Sequence, residues 1–374
     1  MARVRNESSY RREKRLERNE KIRMLQAELP PVVSDFIRSM IANSSDLTRL
    51  GYLHDLRLFF RYLHLEHAAF TDVPIPEVTP SMLEGLTLRD FDLYKEYLRE
   101  YVRKDETGED LLDRTGAVIL AENQAVSIAR KLSALRSFYK YMYVSGLIRE
   151  NTAANLQMPK ISRKPVIYLD KEEIARMLDS VTTGDGLSAR QQVYNEGLRS
   201  RDVAIVSLLL GTGIRESELI GLDIDDIDFE HRSFEVTRKG GEEAVLFFNT
   251  QVSDALQAYL EDRKAIEPVK GHEDAFFLSS QRKRISVRAL QNLIKKYATV
   301  AAPLKKRLSP HKMRSTFATN LYRNTRDIYL VSDTLGHSEL QTTLRYTAKD
   351  ESMRQEAAEG VNWIPGKDAD SGLL

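Results

Sequence analysis

Two arginines, a lysine, two histidines and a tyrosine stand in the C-terminal half as Arg215, Lys239, His311, Arg314, His337 and Tyr346. They fall in five polar elements set in an apolar frame: TGIRESEL, VTRKGG, SPHKMR, LGHSEL and TTLRYT. Singly, each has an ordinary structural use. Arg215 could pair with Glu218 one helical turn on, and Lys239 could be a solvated turn residue. His311, behind Ser309 and Pro310, could decorate the first turn of a capped helix. His337 beside Gly336 could sit at a helix end, and Tyr346, among 16 tyrosines, could be a packing residue.

Together they are the groups that phosphodiester cleavage needs. His311 and Arg314 are three apart, hence on one helix face, where both could address a single phosphate. A pentacoordinate phosphorane gathers negative charge on its non-bridging oxygens, and bidentate guanidinium groups suit that charge better than lysine does. Arg215 and Arg314 are the candidates for this clamp. A phenol titrates near 10, so its attack at neutral pH needs a proton acceptor or strong positive charge nearby; histidine offers the first and arginine the second. The departing 5′ oxygen needs a proton, which Lys239 on a hairpin could deliver as general acid. Covalent attachment would conserve the bond energy, so resealing would need neither ATP nor metal. The chain has no P-loop and no HExxH, and the chemistry calls for no cofactor and no metal.

These residues require a frame that is mainly helical. Asp170 with Glu173 forms an N-cap pair before EEIARML, and VAIVSLLL predicts a buried helix closed by Gly211 and Gly213. SFEVTRKGGEEAVLFFN alternates around Gly240 and Gly241, as a β-hairpin does. After Arg288 the pattern is helical to about Gly360. Towards the N-terminus, Tyr52, Leu56, Phe59, Phe60 and Leu63, then Phe91, Tyr94, Tyr97 and Leu98, then Ile128, Leu132, Leu135, Phe138, Tyr139 and Met142 mark the faces of a helical bundle. Between these halves NLQMPKISRKPVIYL has two prolines and no amphipathic period, the composition of a linker. The expected division is a basic arm or surface helix over 1–29, a helical DNA-binding domain over 30–156, a linker over 157–168, a catalytic domain over 169–349 and a C-terminal segment over 350–374.

At 374 residues and 42% hydrophobic content, two packed domains are the natural expectation. The absence of cysteine excludes disulfides and thiolate metal sites and suits a reducing compartment. A charged opening without an apolar run argues against a signal peptide. No stretch is apolar enough to span a bilayer, and the expected location is cytoplasmic. With 56 Lys+Arg against 55 Asp+Glu, any surface for nucleic acid must be local. Arg130, Lys131 and Arg136, largely outside the apolar stripe of their helix, are candidates for groove contact, and Lys160, Arg163 and Lys164 in the linker for phosphate contact.

The second half resembles the catalytic domain of tyrosine recombinases, the lambda-integrase family. The resemblance rests on Thr212-Gly213-Ile214-Arg215 with Ser217-Glu218-Leu219, Lys239-Gly240, His311 with Arg314, Leu335-Gly336-His337, and Tyr346 nine residues beyond His337. ARKLSALRSFYKYM is similar to the family's core-binding helical domain. The overall length, DVAIVSLLL and VTRKGG are most similar to Xer-type recombinases, particularly those that act as a single recombinase. The resemblance implies a mainly α fold with a small β-hairpin in the catalytic domain, arranged as a two-domain C-shaped DNA clamp. It implies Arg215 and Arg314 as phosphate ligands, with Glu218 orienting that clamp, Lys239 as general acid, His311 as general base or proton shuttle, His337 as hydrogen-bond donor to the phosphate, and Tyr346 as the nucleophile of a 3′-phosphotyrosyl intermediate. Two departures stand out. Ser315 replaces a second histidine, and Glu242 and Glu243 follow the hairpin glycines where many relatives are basic.

The resemblance also implies double-stranded DNA with an inverted-repeat site as partner, a homotetramer on two sites, and control by a DNA translocase or accessory factor, in chromosome dimer resolution or mobile-element integration. Residues 350–360 would be a helix exchanged between protomers, with Trp363 anchoring in a neighbour. Two other readings use the same residues: a type IB topoisomerase-like strand passage, and a non-cleaving DNA-binding protein. Tyr322 and Tyr329 are rival nucleophiles.

Overall fold

Apolar periodicity sets the helices of the N-terminal unit, and capping residues set where they start. In the computed structural model the described residues are 9–105, 109–162, 165–238, 242–305, 308–336 and 340–344. The chain divides into two compact units, Met1–Arg163 and Lys164–Leu374.

In the first unit α1 (Ser9–Ala27), α2 (Pro31–Ser39) and α3 (Asp46–Glu66) are followed by the short α4 (Pro80–Glu84), then α5 (Leu88–Tyr97) and α6 (Ala125–Val144). Ser45 starts α3 by accepting the Thr48 N–H, and Thr87 with Asp90 makes a reciprocal pair at the start of α5. The opening charged stretch is therefore helical from Ser9, and Ile22 and Leu25 bury their side chains in the same core as Phe36, Phe60 and Phe138. That core is aromatic-rich: Phe59 meets Tyr94 at 5.0 Å and Phe91 meets Tyr139 edge-on at 5.1 Å, arrangements that add to simple area burial.

The expectation of helices alone in this unit is corrected by an antiparallel pair, β1 (Glu100–Val102) and β2 (Leu120–Glu122), continued by bridges between Lys104 and Asp110 and between Leu112 and Val118. The turn is built by Asp113, whose carboxylate accepts the N–H groups of Thr115 and Ala117. Gly116 supplies the positive φ there. Asn123 ties the base of the ribbon to the end of α5 through the Leu98 carbonyl at 2.8 Å.

The second unit is arranged about α8 (Ala189–Thr212), which α7 (Lys171–Thr183), α10 (Thr250–Lys264) and α12 (Pro310–Thr325) all contact. The Asp170–Glu173 capping box at the head of α7 forms as its spacing predicts. A three-stranded antiparallel sheet, β3 (Ile227–Asp228), β4 (Ser233–Thr237) and β5 (Glu243–Phe247), follows the short α9 (Glu216–Ile220). In it Phe234, Val236 and Leu246 turn inward while Val245 and Phe247 face out. The remaining helices are α11 (Val287–Ala301), α13 (Ile328–Leu335) and α14 (Leu340–Leu344).

One buried charge organises this bundle. Asp202 on α8, 1% exposed, accepts from Arg201 at 2.6 Å, from Lys296 at 3.0 Å and from the Tyr297 hydroxyl at 2.8 Å, binding α8 to α11. Burial, and then the negative charge of Asp202, drive the Tyr297 phenol far above its usual range. Among the described residues no helix is long and apolar enough to cross a membrane.

Gly213 closes α8 in the left-handed region at φ 62°, and a methyl group there would come within 2.4 Å of the Phe317 ring. Gly213→Ala combines the cost of a left-handed alanine with overpacking. It is expected to lower the unfolding free energy by about 2–4 kcal/mol; an unchanged urea midpoint would refute this account of the α8–α12 junction.

Candidate active site

Two guanidinium groups converge on one peptide carbonyl. Arg314, on α12 and 5% exposed, donates to the Gly213 carbonyl at 2.6 Å and to the Leu335 carbonyl. Arg215, the residue before α9, donates to the same Leu335 carbonyl at 3.2 Å and to that of Gly336 at 3.0 Å. Leu335 ends α13, and a helix end presents unpaired carbonyls and the negative pole of its dipole, so cations gather there.

Glu218 holds Arg215 in place. One carboxylate oxygen accepts the Arg215 guanidinium at 2.7 Å while the other accepts the Arg215 backbone N–H at 2.9 Å, capping α9. Being buried itself, the carboxylate has little freedom to move away. The Arg215 side chain keeps 30% of its surface exposed, so a phosphate could approach it from solvent.

His311 lies one turn before Arg314 in the first turn of α12 and is exposed. Pro310 begins that helix at a position where a missing N–H costs nothing. Ser309 sits at the N-cap without a side-chain cap bond, contrary to the capping role its type suggested. Ser315 is fully buried and turns its hydroxyl to the His311 carbonyl at 3.1 Å. Lys239, His337 and Tyr346 lie outside the described residues, as do Arg163, Lys164 and the segment 350–374 with Trp363. The described neighbours of the first two do meet: Arg238, next to Lys239, donates to the Thr334 carbonyl at 3.0 Å on α13, the helix that ends just before Gly336 and His337. Arg238 was not a candidate from sequence, where it read only as part of a basic turn.

The rival tyrosines both lie among the described residues. Tyr322 packs against the cluster of Ala318, Val331 and Leu335. Tyr329 is exposed on the first turn of α13, roughly 9 Å along the axis from the end where the arginines meet.

In the first unit α6 presents Arg130, Arg136 and Lys140 on its exposed side. Arg130 is pinned: the buried Asp55 carboxylate accepts from both terminal nitrogens at 2.6 Å. Burial raises the Asp55 carboxyl despite that partner. Lys131 differs from its neighbours. It bends back to Ser127 at 2.9 Å and Asn123 at 3.3 Å, and burial lowers its ammonium from the usual lysine range. Lys160 is exposed. Asp55, the residue that fixes Arg130, was missed by sequence reasoning; its only signal is a lone acid between Leu53 and Leu56 on a buried helix face.

The description of the phage integrase family matches residues 168–353. A tyrosine recombinase XerC from Caldanaerobacter subterraneus is 33% identical over 340 residues, covering 88% of this chain and 86% of that protein. The chain belongs to the phage integrase family of tyrosine recombinases. It is also similar to the tyrosine recombinase XerS of Streptococcus uberis, 30% identical over 88% of this chain and 94% of that protein. In fold it is similar to an XerH site-specific recombinase bound to a palindromic difH substrate in a post-cleavage complex, with a TM-score of 0.59 at 19% identity over 84% of this chain and 79% of that one.

Arg314 serves two carbonyls in different directions, which one ammonium group on a flexible stem cannot do equally well. Arg314→Lys should leave one of them without its partner and cost about 1–3 kcal/mol of stability. Chemical denaturation would show it; a wild-type unfolding curve would mean that the bridge between Gly213 and Leu335 adds nothing.

Proposed function

We propose that this protein is a site-specific DNA recombinase that cuts and rejoins strands through a 3′-phosphotyrosyl bond at Tyr346. The observation that carries the reading is the meeting of Arg215 and Arg314 at the Leu335 carbonyl, two residues before His337. A scissile phosphate seated at the exposed edge of Arg215 would face a guanidinium already oriented by Glu218. Stabilising the phosphorane's equatorial charge with preoriented donors is the largest contribution such a site can make.

The roles follow from reach and charge. Arg215 and Arg314 bind the non-bridging oxygens, and His337 adds a hydrogen bond to them. His311, exposed beside Arg314, takes the phenol proton of Tyr346. As the bond between phosphorus and the 5′ oxygen breaks, Lys239 gives that oxygen its proton. The 5′ hydroxyl so formed, or that of a second duplex, reverses the step, and the energy of the broken bond is kept in the phosphotyrosine.

The first unit supplies sequence-independent grip through the exposed side of α6 and through linker residues Lys160, Arg163 and Lys164; residues 169–349 hold the chemistry. Arg136 and Lys140 suit phosphate contact better than Lys131, whose ammonium is already engaged. The substrate is a duplex site of two inverted half-sites. Four copies act on two sites, residues 350–360 exchange between them, and a translocase or accessory factor sets when they act. Such work on chromosomal or mobile-element DNA belongs in the cytoplasm.

A nicked duplex that loses a short fragment on cleavage traps the covalent adduct. Wild-type protein and the Tyr322→Phe and Tyr329→Phe variants should accumulate it, and Tyr346→Phe should give none. An adduct persisting in Tyr346→Phe would end this assignment. Relaxation of arbitrary supercoiled plasmid at a comparable rate would favour a topoisomerase over a recombinase. For affinity, Arg136→Ala and Lys140→Ala should each flatten the dependence of log Kobs on log salt by about 0.9 while leaving preference among sequences unchanged. An unaltered slope would take that side of α6 off the DNA.

A further inference from the structure

We infer that Arg238 is a positioning residue, a latch that holds the root of the β4–β5 hairpin against the end of α13 and thereby sets where the Lys239 ammonium can act. The inference rests on the reading of Lys239 as general acid given above.

Arg238 is held through both backbone and side chain. Its backbone N–H donates to the Glu242 carbonyl at 2.7 Å, closing the hairpin directly beneath the turn. Its guanidinium donates to the Thr334 carbonyl at 3.0 Å and reaches that of Asp333 at 3.4 Å. The same group lies over Gly336, where a side-chain carbon would come within 2.2 Å of Nη1. Gly336 therefore meets two demands at once: φ 60° at the C-cap of α13, and room for a guanidinium.

The chemical consequence concerns geometry rather than charge. A two-stranded hairpin is only marginally stable alone, so what fixes the end of β4 matters. Lys239 directly follows the latched residue, so the place from which its proton is delivered is referred to α13, the helix whose end the phosphate-binding arginines also hold. A general acid misplaced by about 1 Å can lose on the order of 100-fold in rate, within the 10²–10⁴-fold that such catalysis contributes. Both contacts come from Nη2, so a lysine ammonium at 238 could keep part of the hold on α13 while losing the planar group that lies over Gly336.

The test uses the leaving group. In single-turnover cleavage the phenol oxygen of Tyr346 bonds to phosphorus as the P–O5′ bond breaks, and the 5′ oxygen takes up a proton from Lys239. With sulfur in the bridging 5′ position the thiolate departs without that proton. Arg238→Ala should cleave the oxygen substrate about 10–100-fold more slowly than wild type and the sulfur substrate at the wild-type rate, with Arg238→Lys between. Equal slowing on both substrates, or no slowing on either, overturns the latch. Lys239→Ala run alongside separates the two ideas. If sulfur restores Lys239→Ala but not Arg238→Ala, only the latch fails; if Lys239→Ala stays slow on both, the general-acid reading fails and the latch with it. Should Arg238→Ala not fold, Arg238→Gln, which keeps a donor for one carbonyl, carries the same comparison.

Discussion

The C-terminal end of α13 is where three arginines of the second unit meet. Four successive carbonyls, from Asp333 to Gly336, accept from Arg238, Arg215 and Arg314, which come from the hairpin, from the residue before α9 and from α12. The Gly336 N–H closes back on the Asp333 carbonyl, but a helix end leaves its last carbonyls open, and its dipole attracts cations. Three elements far apart in sequence are therefore brought to one point by an ordinary hydrogen-bonding need. The result is a cluster of guanidinium groups in which Arg314 is buried while Arg215 and Arg238 keep some surface exposed, an arrangement suited to an anion.

The same device recurs away from the site, which shows how the unit uses arginine as a structural fastener. Arg263 holds the carbonyls of Glu273 and Ala275, Arg284 those of Ile220 and Leu222, and Arg201 that of Leu278. All three are buried, and each fixes a loop on a helix or the sheet. Arg215 is set apart by its exposed edge and by the buried acid behind it. Desolvated carboxylates beneath partly exposed guanidinium groups occur in both units, Glu218 under Arg215 and Asp55 under Arg130, and in each case the acid limits the rotamers the arginine can adopt. Orientation in advance lowers the entropy lost when a phosphate is bound.

Much of this was legible in the residues. Periodicity marked α3, α5 and α6, the Asp170–Glu173 pair marked the head of α7, and Gly213 marked the end of α8. Alternation about Gly240 and Gly241 marked the hairpin strands. The three-residue spacing of His311 and Arg314 put both in the first turns of one helix, α12. What escaped was local and weak in signal. The β1–β2 ribbon lies in a polar stretch whose cue is the Asp113 to Gly116 turn. Arg238 reads as one more basic residue in a turn, and Asp55 as an interruption in an apolar stripe.

By itself the sequence determined which groups are present and that His311 and Arg314 ride on one helix, because spacing along a chain of known period decides what shares a face. It could not decide which carbonyl a given arginine would meet. That depends on bringing residues more than a hundred positions apart, such as Gly213 and Arg314 or Arg215 and Leu335, within hydrogen-bond range. Only the packing of α8 against α12, with Gly213 pressed to the Phe317 ring, sets those distances, since they arise from shape complementarity between elements rather than from the pattern within any one of them.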